Sequence, residues 1–278
     1  MLIKRVDKKI FLKFSLIIPV YINTTKKSFI KCFFSVINQK YLPKQILVCI
    51  DGPIKSSLNK YIILLKNKNK IDTFYKEENV GLGKILREAV VKSRFNLIAR
   101  LDSDDICLNQ RFIIQYKFLR KNRNIDMVGG WINEVNKNKT IFKKILPKSF
   151  KEIKKYAIFR NPINHPTVMF RKDKILDVGN YEHQPFFEDY LLWIKLIKNN
   201  KKIVNLDHSF VQMNIDENFY KRRSGFVYYL MFVKFQLKIY SLNFISAYTL
   251  IINIFLRLIL ILPFPLNKLF YRTILRNE

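Results

Sequence analysis

Short continuous apolar runs alternate with amphipathic stretches through the first hundred residues. Phe14-Ser-Leu-Ile-Ile-Pro-Val20 is apolar without alternation, the pattern of a strand buried on both faces. Thr24 and Thr25 then offer helix N-caps. Phe29, Cys32, Phe33, Val36 and Ile37 recur at i, i+3, i+4, i+7 and i+8, one buried helical face. Gln45–Ile50 predicts a second strand, ending at Asp51-Gly52-Pro53. Leu58–Leu65 predicts a helix and Ile71–Tyr75 a third strand. Another helix follows Gly81-Leu-Gly83, and Phe95–Ala99 predicts a fourth strand running into Asp102-Ser-Asp-Asp105. This repetition predicts an α/β fold with a mostly parallel sheet. In such sheets ligands bind beyond the carboxyl ends of the strands. Pro19–Tyr21, Asp51–Gly52 and Asp102–Asp105 all fall there.

Past residue 105 the rhythm changes. A helix is expected from Asn109 to about Lys121, then a strand-like Asp126–Ile132 and hairpin-like pieces up to His165–Phe170. A helix starts near Phe187, and two short strands follow at Lys202–Leu206 and Phe210–Ile215. From Lys221 the pattern turns to long apolar helices carrying only cations: Lys221, Arg222, Arg223, Lys234, Lys238, Arg257, Lys268, Arg272 and Arg276. The stretch Phe244–Leu262 contains 13 Phe, Ile or Leu residues in 19 positions. As one helix it would measure about 28 Å, nearly a bilayer core. Cations flank both of its ends, so a span would pull one set across the membrane. The expectation is therefore helices lying in the interface, apolar face down. A soluble helical cap and an oligomer interface remain open.

Composition narrows the chemistry. The 278 residues carry a formal charge of +30, which makes polyanions attractive: nucleic acid, anionic lipid or phosphorylated substrates. Lys, Asn and Ile are abundant everywhere, so clustering carries more weight than the total. The three cysteines, Cys32, Cys49 and Cys107, lie in apolar runs without a CxxC, which argues against a disulfide scaffold or a cysteine-ligated zinc site. The apolar run after the basic start is seven residues long, so no signal peptide is expected.

Asp102, Asp104 and Asp105 place three carboxylates within four residues, a density that repels unless something positive sits among them. A divalent cation bridging carboxylate to diphosphate is one answer; an N-cap and turn before the next helix is the other. Asp51 could accept hydrogen bonds from a base or ribose, or simply make a turn. Gly81 and Gly83, with Lys84 and Arg87, open a helix whose amides and cations suit phosphate. Glu188 and Asp189 sit among Phe186, Phe187, Tyr190 and Trp193. They suit base catalysis beside sugar-stacking rings, or merely favour the first turn of a helix.

Taken in order, Ser15-Leu-Ile-Ile-Pro-Val-Tyr21, Ser35-Val-Ile-Asn-Gln39, Leu47-Val-Cys-Ile-Asp-Gly52, Asn79-Val-Gly-Leu-Gly83, Ala99-Arg-Leu-Asp-Ser-Asp-Asp105 and Phe187-Glu-Asp-Tyr190 resemble the family 2 glycosyltransferases of GT-A fold. Asn161-Pro-Ile-Asn-His-Pro-Thr-Val-Met-Phe170 and Tyr220-Lys-Arg-Arg223 resemble a narrower group of bacterial galactosyl- and glucosyltransferases that build O-antigens and amylovoran-type polysaccharides. The resemblance covers roughly residues 14–225. It implies a Rossmann-like catalytic domain over residues 1–220, followed by a helical membrane-associating region over 221–278. It also implies that Pro19, Tyr21 and Asp51 line the uracil and ribose pocket, and that Asp102 and Asp104 form a DxD element. Asp104, Asp102 or Asp105 would hold Mg²⁺ or Mn²⁺, and Asp189, or less favourably Glu188, would be the catalytic base. Gly81, Lys84, Arg87, Arg222 and Arg223 would serve the donor, and His165 and Trp193 the acceptor. His165 could equally be a satisfied structural histidine.

Two departures stand out: Ile50-Asp51 replaces the usual pair of acids, and the helix after Gly83 carries Arg87-Glu88-Ala89. Both leave the donor sugar open. The implied activity is inverting transfer of a hexose from a UDP-sugar to a polyprenyl-diphosphate-linked saccharide at the cytoplasmic side of the plasma membrane, with no nucleic-acid partner. A nucleotidyltransferase acting on sugar phosphates and a non-catalytic basic nucleic-acid- or lipid-binding protein are the rivals.

Overall fold

A computed structural model describes residues 9–136, 139–215 and 221–261. The first strand, β1 (Ile10–Tyr21), is buried from Phe14 to Val20, and its side chains alternate between two cores. Leu16, Ile18 and Val20 face one side of the sheet and Ile17 faces the other, the period of two that a doubly covered strand requires. Thr25, not Thr24, caps α1 (Lys26–Ile37), accepting the Ser28 amide at 3.0 Å. Thr24 turns inward, its hydroxyl 3.1 Å from that of Ser103, and ties the end of β1 to the acidic loop.

The expected elements follow: β2 (Tyr41–Asp51), α2 (Ser56–Asn67), β3 (Asp72–Tyr75), α3 (Leu82–Lys92), β4 (Leu97–Arg100), β5 (Ile106–Cys107) and α4 (Arg111–Lys121). Beyond them come β6 (Met127–Asn136), β7 (Lys139–Lys144), α5 (Phe150–Tyr156), β8 (Met169–Arg171), α6 (Lys172–Asp177), α7 (Glu188–Lys198) and β9 (Ile203–Asn214). A 3-10 turn at His165–Thr167 leads into β8. The strand order is β3-β2-β1-β4-β8-β6-β9-β5, with β7 beside β6. Strands β3, β2, β1 and β4 run parallel, so their carboxyl ends share one edge.

The sheet is mostly parallel, with antiparallel pairings added beyond β4. β8 comes out of the 3-10 turn with no crossover helix and runs antiparallel to both β4 and β6. β9 is one strand, not two. Its exposed centre at Asp207 and His208 reads as a turn, but the register shifts beside Trp131 absorb it.

Two helices close the described chain, α8 (Phe226–Ser241) and α9 (Ala247–Leu256). The inner face of α8 supplies Phe232, Phe235 and Ile239 to the same core as α3 and α7, so the core runs on across the expected boundary at 220. The ring of Phe235 stacks on Phe187 at 4.9 Å and lies 4.8 Å from Tyr190. The long apolar run expected from Phe244 is broken: α9 ends at Leu256, and Arg257–Ile261 continues as a 3-10 turn. Among the described residues no helix is long and apolar enough to cross a membrane. Lys268, Arg272 and Arg276 lie outside the described residues.

Candidate active site

Two acidic clusters meet at one buried cation. Arg100 ends β4, is 2 % exposed, and grips both oxygens of Asp102. A charge at the end of an apolar strand costs much desolvation unless paired. Here Asp102, Asp105 and Asp189 hold the guanidinium in its charged form. The chain extends these interactions from the acidic loop after β4 to the start of α7.

The three aspartates of that loop have three environments. Asp102 pairs with Arg100 through both oxygens and stays partly accessible. Asp105 is 2 % exposed, and its pKa is pushed well above the usual carboxylate range by burial, then by Asp102 and Asp104. Burial sets Asp105 apart from the exposed Asp104 of the same loop. Asp104 is exposed and has no ion-pair partner within 4 Å among the described residues. Desolvation and then Asp102 raise its pKa, while Arg100 and Arg222 oppose the rise. Tyr21 stands across from it, its phenol raised by burial, lowered by Arg222 and raised again by Asp104. Tyr21, Asp102, Asp104 and Arg222 thus lie within electrostatic reach of one another. Pro19 is buried in β1, paired with Cys49 of β2.

An exposed carboxylate with no close ion-pair partner among the described residues fits the chemistry of Mg²⁺ or Mn²⁺, which commonly take one or two carboxylates and complete their shell with substrate phosphate and water. Among the described residues no group of three or more His, Cys, Asp and Glu is gathered as a metal cluster. A divalent ion here would thus depend on Asp104, Asp102 and the substrate together.

A second group of residues gathers at the start of α3. Both oxygens of Asp51 accept backbone amides, from Val80 at 2.7 Å and Gly81 at 3.0 Å. Asp51 therefore holds the turn that opens α3. Gly81 has a φ of 89°, a left-handed conformation open to glycine. At Gly83 an added Cβ would lie 2.4 Å from the carbonyl oxygen of Glu182, so only glycine lets that loop approach. Lys84 is exposed on the first turn of α3. Arg87 points elsewhere: its guanidinium donates to the carbonyls of Gly179 and Tyr181, both at 3.0 Å, and fastens that loop rather than meeting phosphate.

Between the start of α3 and the start of α7 lies a cavity of about 460 Å³, lined by Gly81, Gly83, His183, Phe186, Glu188, Arg223 and Tyr228, among others. Phe186 is half exposed with a φ of 68°, a strained conformation for a non-glycine residue, and its ring meets Tyr228 edge to face at 5.2 Å. Phe187 and Tyr190 turn into the core. Trp193 is fully buried there, so it cannot touch an acceptor.

The two acids of α7 differ as well. Glu188 lines the cavity, and burial together with Asp189 raises its pKa to about 8. Asp189 accepts from the Asn161 amide at 2.8 Å and from its neighbour's backbone amide at 2.7 Å. Burial raises its pKa while those two bonds oppose the rise. His165 is buried, bonds the Tyr181 hydroxyl at 2.8 Å and lies 3.9 Å from Asp189. Burial and Arg100 hold its pKa well below the usual imidazole value, so it is a neutral structural histidine. Sequence reasoning missed Arg100, His183, Tyr228 and the role of Asn161. The available signal was a lone arginine ending an apolar strand.

The family model for "Glycosyl transferase family 2" matches residues 15–179, more than half of the chain. The chain belongs to this family. It is 32% identical over 269 residues to a UDP-Gal:alpha-D-GlcNAc-diphosphoundecaprenol beta-1,3-galactosyltransferase of Escherichia coli, covering 95% of this chain and 97% of that one. It is 29% identical over 230 residues to the amylovoran biosynthesis glycosyltransferase AmsE of Erwinia amylovora, covering 83% and 85%. Among solved structures, S. aureus TarS 1-349 with UDP-GlcNAc superposes with a TM-score of 0.61 at 19% identity, over 82% of this chain and 66% of that one. The longer S. aureus TarS chain gives 0.58 at 20% identity, over 76% and 38%. This chain thus spans less than two thirds of either TarS chain. The fold is GT-A, and the family 2 chain is a glycosyltransferase.

Proposed function

We propose that the protein transfers a hexose from a UDP-sugar to a polyprenyl-diphosphate-linked saccharide in surface-polysaccharide synthesis, with inversion, at the cytoplasmic face of the membrane. The observation that carries this reading is the meeting of the two acidic clusters at Arg100 beside one cavity. The E. coli relative, matched over nearly its whole length, bears both substrates in its name.

Transfer requires an acceptor hydroxyl to attack the anomeric carbon as the bond to the diphosphate breaks. The electron pair leaves with the diphosphate, and the hydroxyl proton must go to a base. Asp189 is that base: its two hydrogen bonds fix the carboxylate, and burial makes it more basic than a solvated aspartate. Glu188, protonated at neutral pH on most molecules, donates to a sugar oxygen instead. Asp104, with Asp102, would hold Mg²⁺ or Mn²⁺, whose charge when bound offsets that of the departing diphosphate. Arg222 and Arg223 close over the same region. One base and one displacement invert the anomeric centre.

The test is an assay with UDP-hexose and a GlcNAc-diphosphate lipid. Transfer of the hexose with release of UDP is expected. In a parallel reaction with UTP and a hexose 1-phosphate, release of pyrophosphate with formation of UDP-hexose would identify a nucleotidyltransferase.

A further inference from the structure

Helix α9 is built inside out. Its covered face carries a polar residue, Asn253, 3 % exposed, whose amide donates to the Ile158 carbonyl and to Gln236, both at 2.9 Å. Its outer face carries Tyr248, Ile251 and Phe255, which are 75 %, 67 % and 70 % exposed. These three follow the i, i+3, i+7 spacing of one helical stripe. In a helix that meets only water on its outer side, the apolar stripe faces the core and the polar residues face out. The outer face of α8 continues the anomaly, with Phe226, Val227, Leu230 and Leu237 exposed beside Lys234 and Lys238. An exposed apolar surface of this kind marks an interaction site.

Charge selects the occupant. The sequence has no acidic residue between Glu217 and the terminal Glu278. Lys234 has no ion-pair partner among the described residues, and Lys238 lies 3.7 Å from Glu182, which Lys195 also contacts at 3.0 Å. A second copy of a chain carrying +30 would bring cations against cations on this face. Anionic headgroups supply the missing counter-charge, and acyl chains receive the apolar stripe. The ten residues of α9 measure about 15 Å, half a hydrocarbon core, so the helix lies in the interface plane. Tyr228, on the first turn of α8, lines the cavity, while its neighbour Val227 belongs to the outer face. The same helix therefore joins the docking face to the active site.

We propose that the outer faces of α8 and α9 dock the protein on an anionic bilayer, with Tyr248, Ile251 and Phe255 entering the lipid. This inference rests on the lipid-linked acceptor proposed above, and its readout is separate. Truncation before α8 would remove Phe232 and Phe235 from the core, so substitution of exposed residues is the proper test. The full chain and its Tyr248→Ser/Ile251→Ser/Phe255→Ser variant are floated with phosphatidylglycerol–phosphatidylcholine vesicles and with pure phosphatidylcholine vesicles. Sedimentation equilibrium without lipid runs in parallel. The parent is expected to bind the anionic vesicles at least tenfold more tightly than the neutral ones. The triple variant should lose at least tenfold of that binding while its melting temperature and its turnover of a short, water-soluble GlcNAc-diphosphate acceptor stay unchanged.

Equal flotation of parent and variant overturns the proposal, as does equal binding of the parent to neutral vesicles. A parent dimer that the variant converts to monomer, with neither binding lipid, assigns the face to a second copy and overturns it too. Failure of both proteins to turn over the soluble acceptor would count against the proposed activity and leave the vesicle result standing.

Discussion

Asp102 and Glu188 interact with the same guanidinium and have opposite electrostatic fates. Asp102 takes both of its hydrogen bonds from Arg100 and is neutralised by it. Glu188 lies on the far side, buried against Asp189, and its pKa rises to about 8. One cation cannot compensate every acid around it, so distance and geometry decide which carboxylates stay ionised. The difference teaches that geometry sorts the carboxylates around one cation: Asp102 is paired by it, while Glu188 is governed by burial and its acidic neighbour.

The largest effect should come from Asp189. Asp189→Asn keeps the Asn161 contact region intact but removes the base, and turnover should fall about 10²–10⁴-fold. UDP-sugar affinity by calorimetry should change less than twofold. If Glu188→Gln shows that split instead, the roles of the two acids are exchanged. Next comes the other cluster. Asp104→Ala should lower turnover about 10²–10³-fold, the usual scale for removing one element of transition-state charge stabilisation. Chelation of divalent ions should reproduce that loss in the parent and add little in the variant.

Arg100→Met breaks the comparison itself, leaving Asp102 without its partner and the α7 acids without their cation. Removing one member of a buried pair costs about 3 kcal/mol, read as a lower denaturation midpoint. The pH optimum should move upward because the acids become harder to ionise. Arg100→Lys should recover part of both.

Glu188→Gln sharpens the contrast through pH. A carboxyl whose pKa rises from 4.5 to about 8 on folding contributes stability that is full below 4.5 and is lost as pH climbs towards 8. The variant lacks this loss, so its melting temperature relative to the parent should rise steadily between pH 5 and pH 8. A constant difference across that range would mean Glu188 stays ionised. The smallest functional effect belongs to Trp193→Phe. The ring is fully buried, so stability should drop by about 1–2 kcal/mol while the acceptor KM stays unchanged.

The amino-acid pattern makes the first half of this molecule readable. Strands β1 and β2 announce themselves as unbroken apolar runs, and the polar residues that end them are visible as interruptions. The later half is harder to read because its structure depends on long-range pairing. The single strand β9 is disguised by Asp207 and His208 at its centre, and only its irregular register with β6 lets the chain pass through them. The short elements α5, α6 and β7 are too brief to carry a period. Arg100 was legible as an anomaly, but its partners come from segments nearly ninety residues apart, which no local pattern encodes. Trp193 illustrates the converse: an aromatic ring near two acids reads the same in sequence whether it lines a cleft or fills a core.

The central claim is that one carboxylate drives one displacement at the anomeric carbon. Nuclear magnetic resonance of the linkage formed from an α-linked UDP-hexose and a GlcNAc-diphosphate lipid tests it most directly. A β-linked product, with one UDP released for each bond made, is the predicted result; an α-linked product would contradict it.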